Sequence, residues 1–147
     1  MFRAFLLALA VLLAPTAARA ISPATGEPMD DSEAFERVRT ARSFAIASGG
    51  KAGPTLQERA FLRLFNGRQP AEKFTQLVAK GTLAGRMYAL LGLKYTAPPV
   101  FAQKLPGYLR SWRKVPVTIG SGKTKTIWAH TVAAQIRDRD YSGDLGK

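Results

Sequence analysis

Apolar positions recur with a helical period over most of this chain, and the pattern changes to a strand period only near residue 115. The strongest segment is Gly81–Leu93, GTLAGRMYALLGL, in which Arg86 is the only charge. Thr82 suits the cap of a helix beginning at Leu83, and Gly81 can close the preceding helix through the left-handed conformation that glycine tolerates. At about 100° per residue, Leu83, Met87, Leu90 and Leu91 share one face, while Gly85, Ala89 and Gly92 share the opposite one. Bulky residues on one side and small ones on the other predict a helix buried between two layers, with a neighbouring backbone close to the small side. Interior glycines cost roughly 1 kcal/mol each relative to alanine, so packing must outweigh them. Thr82, Gly85, Arg86, Tyr88 and Gly92 are expected to be structural positions, Arg86 half-buried against an acidic or carbonyl partner.

Three further helices are predicted before this one. Asp30 and Glu33 form a capping pair, and Phe35, Val38, Ala41, Ala45 and Ile46 follow at helical spacing until Gly49-Gly50. Thr55-x-x-Glu58 is a better capping box, opening a helix filled by Phe61, Leu62, Leu64 and Phe65 and ended by Asn66-Gly67. Pro70 suits the first turn of a helix with Phe74, Leu77 and Val78 inward. Short turns join these helices, so neighbours should pack antiparallel. Beyond Pro98-Pro99 a brief helix over Pro99–Lys104 is expected, interrupted by Pro106-Gly107, with one more turn carrying Tyr108, Leu109 and Trp112. Val115–Ile119 and Lys125–His130 then flank Gly120-Ser121-Gly122-Lys123 and read as a β-hairpin. Val132, Ala133 and Ile136 suggest a last helix over about Thr131–Arg137, before a frayed polar tail.

The predicted fold is mainly α. It is a compact helical stack or orthogonal bundle, with HEAT-like helix pairs allowed, carrying a small C-terminal β-hairpin and a final short helix. No internal repeat is visible. A single helical domain spans 30–137 with the hairpin near 115–130, between a flexible lead-in over 21–29 and a polar tail over 138–147.

The segment Gly-Thr-x-Ala-Gly-Arg-x-Tyr-Ala-Leu-Leu-Gly-Leu resembles one that recurs in small exported bacterial proteins of unknown function, one of them encoded in a microcin gene cluster. The resemblance is sharp over residues 81–93 and loose over about 74–137. It implies the same order of short helix, Val-rich strand pair and last helix, and it implies export. Many members carry a Cys in the strand-pair region, where this chain has Gly120-Ser121.

The first twenty residues read as a cleaved secretory signal: Arg3, an apolar run from Phe5 to Ala14, Pro15, and the cleavage pattern Ala18-Arg19-Ala20. The run is too short for a span of about 20 apolar residues. The mature chain would begin at Ile21, have no transmembrane span, and reside in the periplasm or the medium. Its 127 residues suit one domain. The chain has no cysteine, which excludes disulfides, thiol catalysis and Cys-ligated zinc.

The formal net charge of +12 becomes +10 without Arg3 and Arg19. The acids lie at Glu72 or before it and at Asp138 or after it, and none falls between Lys73 and Arg137. That field attracts anions. Within it, Tyr108-Leu109-Arg110-Ser111-Trp112-Arg113-Lys114 mixes aromatics with bases. Such mixing serves single-stranded nucleic acid by stacking or a membrane interface by headgroup contact. Export favours an envelope polyanion or lipid headgroups over nucleic acid. The candidate binding residues are Arg110, Trp112, Arg113, Lys114, Lys123 and Lys125.

No catalytic constellation is recognisable. Gly120-Ser121-Gly122-Lys123-Thr124 ends like a phosphate loop, but that motif needs glycine where Val117 stands and a helix where Thr124, Thr126, Ile127 and Trp128 favour a strand. His130 is the only histidine. Ser111, Ser121, Thr124 and Thr131 are available to it, but nothing marks any of them as a nucleophile. Asp30, Asp31, Glu33 and Glu36 suit a first helical turn and lack calcium-loop spacing. Neither metal nor cofactor is expected. The leading expectation is an exported, non-enzymatic protein that binds a protein partner or an anionic envelope component through residues 94–125. A protein-only adaptor using its helices is the alternative, and an unrecognised enzyme centred on His130 or Arg86 the third.

Overall fold

The computed structural model describes residues 28–46, 53–120 and 122–146. The segment read as a secretory signal, most of the expected lead-in, Gly49-Gly50 and Ser121 lie outside the described residues. The described chain is mainly helical, with elements in the order α1 (Asp31–Arg39), α2 (Leu56–Phe65), α3 (Pro70–Lys80), α4 (Leu83–Thr96), α5 (Pro98–Leu109), β1 (Lys114–Ile119), β2 (Lys123–Trp128), α6 (Ala129–Asp138) and α7 (Ser142–Leu145).

Local chemistry accounts for most of these boundaries. Asp30 accepts a hydrogen bond from the Glu33 N–H, opening α1. Thr55 and Glu58 form a complete capping box at α2, which satisfies two of the free N–H groups of a helix start. Pro70 stands in the first turn of α3 and Gly81 follows its end. Gly81 is extended, with φ −78°, not left-handed; what it provides is space, because a Cβ there would lie 2.8 Å from the Leu77 carbonyl oxygen. Thr82 accepts from the Gly85 N–H at 3.0 Å and donates to the Ala41 carbonyl at 2.7 Å, so one side chain caps α4 and ties it to the segment after α1.

Helix α4 is the centre of the fold. It touches α1, α2, α3, α5, α6 and β1, and Met87–Leu93 is buried throughout. Its two glycines sit at close approaches on different neighbours. A Cβ on Gly85 would lie 2.4 Å from the Val38 carbonyl oxygen of α1, and one on Gly92 would lie 2.4 Å from the Phe74 ring of α3. Around this helix Phe44, Phe61, Phe74 and Tyr88 form a continuous aromatic group, with centroids 4.9 Å apart for Phe44–Tyr88, 5.5 Å for Phe61–Phe74 and 5.6 Å for Phe61–Tyr88. The Tyr88 hydroxyl accepts from the buried Ala45 N–H at 2.9 Å. Burial pushes that hydroxyl far above the ordinary tyrosine range, so it stays neutral.

Several expectations are corrected. The first helix ends at Arg39 instead of running to Gly49-Gly50. Thr40 caps it through the Glu36 and Val38 carbonyls, and the chain then bends through Arg42 and Ser43. Phe44 makes a parallel bridge with Val117: its N–H reaches Pro116 at 2.8 Å and its carbonyl accepts from Thr118 at 2.9 Å. Spacing alone cannot distinguish buried Ala41, Phe44 and Ala45 in this segment from one more helical turn. Helix α5 runs unbroken through Pro106. Proline there leaves the Ala102 carbonyl without a helical partner, but Ala102 is exposed and water can serve it. The final segment is not a frayed tail. Tyr141 and Leu145 are buried, and the Tyr141 N–H donates to the Tyr95 hydroxyl at 2.7 Å. Apolar side chains at these two positions dock α7 onto the core despite the polar residues between them. Likewise Met29, assigned to the lead-in, packs against the core. Among the described residues no helix is long and apolar enough to cross a membrane.

Candidate functional site

The hairpin register pairs Lys114 with Trp128 and Ile119 with Lys123. Its turn closes through the Gly122 N–H on the Ile119 carbonyl at 3.0 Å, with Gly122 at φ +76°, a left-handed geometry suited to glycine. The pairing continues past the strands. The Ala129 N–H donates to Arg113 at 2.8 Å and the His130 N–H to Ser111 at 3.3 Å. These bonds set Trp112, just before β1, beside His130, in the first turn of α6.

Three aromatic rings meet there. Trp112 lies 4.8 Å from His130 and 6.0 Å from Trp128, edge to face with both. Trp128 and His130 are nearly parallel at 6.3 Å. The Lys114 ammonium stands 4.9 Å from the centroid of the Trp128 ring, a cation–π contact worth about 0.5–1 kcal/mol at an exposed site. Trp112 is 75 % exposed and Trp128 41 %. An indole left this open keeps on the order of 150 Å² of apolar surface in water. Covering it is worth roughly 3–4 kcal/mol before the costs of association. An exposed aromatic pair beside bases is the type of surface that marks interaction sites.

The structure divides the six candidate binding residues. Arg110 is the exposed C-cap of α5, and Arg113 is exposed in the linker leading to Lys114. These two flank Trp112 in sequence, and Lys114 touches Trp128. Strand alternation gives Lys123 and Lys125 the parity of buried Val115 and half-buried Ile127, opposite to that of Lys114 and Trp128. Both are nonetheless exposed. The acid-free stretch therefore divides along the hairpin: Trp112, Arg113, Lys114 and Trp128 lie at its base, and Lys123 and Lys125 at its tip. Arg113, opposite Ala129, shares the parity of the tip lysines but stands at the other end of the ribbon. Among the described residues, no carboxylate pairs with Arg110, Arg113, Lys114, Lys123 or Lys125. Nearby, burial raises the Tyr108 hydroxyl, while the positive charges of Arg86 and Arg113 pull it back.

The residues named as structural lie elsewhere. Arg86 Nε donates to the Gly81 carbonyl at 2.8 Å, a cation placed at the C-terminal end of α3. Thr82, Gly85, Tyr88 and Gly92 hold α4 against its neighbours as described above.

The acids near the N-terminus are engaged in structure. Glu33 pairs with Arg37 and Glu36 with Arg39 within α1. Asp31 faces Lys73 of α3 and Arg63 of α2. The hydrogen bond from Lys73 is the main reason its carboxyl lies below the ordinary range. His130 Nδ1 faces the Ser111 carbonyl at 3.2 Å, not a serine hydroxyl. Lys123 and Thr124 open a strand, so the Gly-Ser-Gly-Lys-Thr run does not enter a helix that could receive phosphate. Two open clefts, of about 290 and 520 Å³, are lined by Asp31, Phe35 and Lys73 and by Thr131, Asp138 and Tyr141 respectively. Neither includes a tryptophan.

Trp128 and His130 were not among the candidate binding residues, His130 being considered only as a catalytic base. The signal was available: a three-residue turn centred on Ser121 sets residue 114 opposite 128 and residue 112 opposite 130. Comparison with protein-family models, with curated proteins and with solved structures gives no match.

Proposed function

We propose that this protein is an exported, non-enzymatic binding protein that engages an anionic component of the cell envelope through the Trp112–Trp128 surface. The observation that carries this reading is a three-quarters-exposed Trp112 in one run with the exposed Arg110, Arg113 and Lys114, none of which pairs with a carboxylate among the described residues. Unpaired bases supply attraction and fast association, and the indoles supply apolar area once contact is made. Export rests on the signal-like pattern of residues 1–20 and on the likeness of residues 81–93 to the exported family. In that compartment, lipid headgroups and envelope polymers are more available anions than nucleic acid.

The test is co-sedimentation of the chain from Ile21 onward with anionic and with neutral vesicles, and its retention on dextran sulfate, each at low and high salt. Binding to anionic probes that falls with salt is expected, because surface charges are screened within about 10 Å at 0.1 M salt. The variant Arg110→Glu/Arg113→Glu/Lys114→Glu should lose it while keeping its circular dichroism. Retained binding in that variant contradicts the proposal.

A further inference from the structure

Trp112 is three-quarters exposed at the base of a two-stranded ribbon, Lys114 stands over the Trp128 ring, and the two clefts described above are lined elsewhere. A protein partner typically receives aromatic anchors in well-packed pockets. A dissolved polyanion without bases to stack would be held by charge alone and would leave both indoles unused; single-stranded nucleic acid would use them but is the less available anion for an exported chain. A bilayer surface uses both features. The indole, apolar in body with one N–H donor, sits at headgroup level. Lysine and arginine stems lie along apolar surface while their charges reach lipid phosphate. Resting on the anion-binding reading above, we infer that the occupant is the surface of an anionic phospholipid bilayer. Docking is peripheral. Trp112 and Trp128 rest among the headgroups, and Arg110, Arg113 and Lys114 contact phosphates.

The chain has two tryptophans and both lie in this patch, so intrinsic emission reports on the site alone. The experiment titrates the chain from Ile21, which keeps every described residue. The probes are phosphatidylglycerol–phosphatidylcholine vesicles, phosphatidylcholine vesicles, anionic vesicles with acyl chains brominated close to the headgroup, and dextran sulfate. The inference expects emission to shift to shorter wavelength with the anionic vesicles only, and to be quenched by the brominated lipid. Replacing each base by Gln should weaken partitioning about fivefold, and all three roughly a hundredfold. Trp112→Ala, at an exposed position, should weaken it about tenfold or more with circular dichroism unchanged. Sedimentation with anionic vesicles without wavelength shift or quenching overturns headgroup insertion and leaves the anion-binding reading intact. Binding to dextran sulfate but to no vesicle overturns the bilayer as occupant. Binding to none of the probes overturns both.

Discussion

Alanine should have opposite effects at two helical glycines. In α4, Gly85→Ala places a methyl 2.4 Å from the Val38 carbonyl oxygen and 3.1 Å from that of Arg39. Both obstacles are backbone, so relief requires moving the end of α1 away from α4. That motion stretches two bonds between the same segments, Thr82 N–H to Arg39 at 2.9 Å and the Thr82 hydroxyl to Ala41 at 2.7 Å. Alanine gains about 1 kcal/mol of helix propensity over glycine. Overpacking costs about 1–3 kcal/mol, and the two hydrogen bonds contribute about 1 kcal/mol each. The net expectation is destabilisation by about 2–4 kcal/mol. In α5, Gly107→Ala meets nothing within 4 Å, so the propensity gain stands alone and the variant should be more stable by up to about 1 kcal/mol. Urea unfolding followed by circular dichroism measures both, read as midpoint changes at constant m. A Gly85→Ala protein as stable as the parent would refute the close approach of α1 to α4 on which the fold's centre rests.

Other substitutions probe separate links. Tyr88→Phe should cost about 1–3 kcal/mol, because the buried Ala45 N–H loses its partner; a neutral result in thermal unfolding would remove that bond from the account. Lys94 donates to the Ile136, Arg137 and Arg139 carbonyls at 2.8, 3.1 and 2.6 Å. Lys94→Met should therefore cost about 1–3 kcal/mol and speed amide exchange over residues 136–145, and unchanged exchange there would count against it. The carboxyls of Asp31, Glu36, Asp138 and Asp140 are all held below the ordinary range, chiefly by hydrogen bonds from Lys73, Arg39, Arg137 and Ser142 respectively. A carboxyl depressed in the folded state adds stability above its unfolded pKa of about 4, and that stability disappears as pH falls through the folded value. The melting temperature should hold from neutrality to about pH 5 and drop below about pH 4, less steeply in Asp31→Asn; an identical acid limb in that variant contradicts the Lys73 contact.

The legible parts of the fold were those with local causes. Thr55 and Glu58, Pro70, Thr82 and the two faces of α4 carry their meaning within a few residues. The hairpin was readable from its glycines and β-branched flanks. What escaped depended on distant partners. Phe44 leaves the helical pattern because its backbone pairs beside Val117, far along the chain. Tyr141 docks because Tyr95 offers it an acceptor. At the candidate site, bases and Trp112 stood out by composition, but grouping them needed the register. Register places Trp128 and His130 with Trp112, and it sets Lys123 and Lys125 on the other parity.

That division makes the central claim directly testable. Two variants with equal change in net charge should be compared for partitioning onto phosphatidylglycerol vesicles: Arg113→Glu/Lys114→Glu beside the tryptophans, and Lys123→Glu/Lys125→Glu at the hairpin tip. All four residues are exposed, so neither pair should disturb folding. Binding through the Trp112–Trp128 surface predicts a loss of roughly a hundredfold or more for the first variant and only a small loss for the second. Equal losses would show that the vesicles sense net charge alone, and would contradict a dedicated binding face.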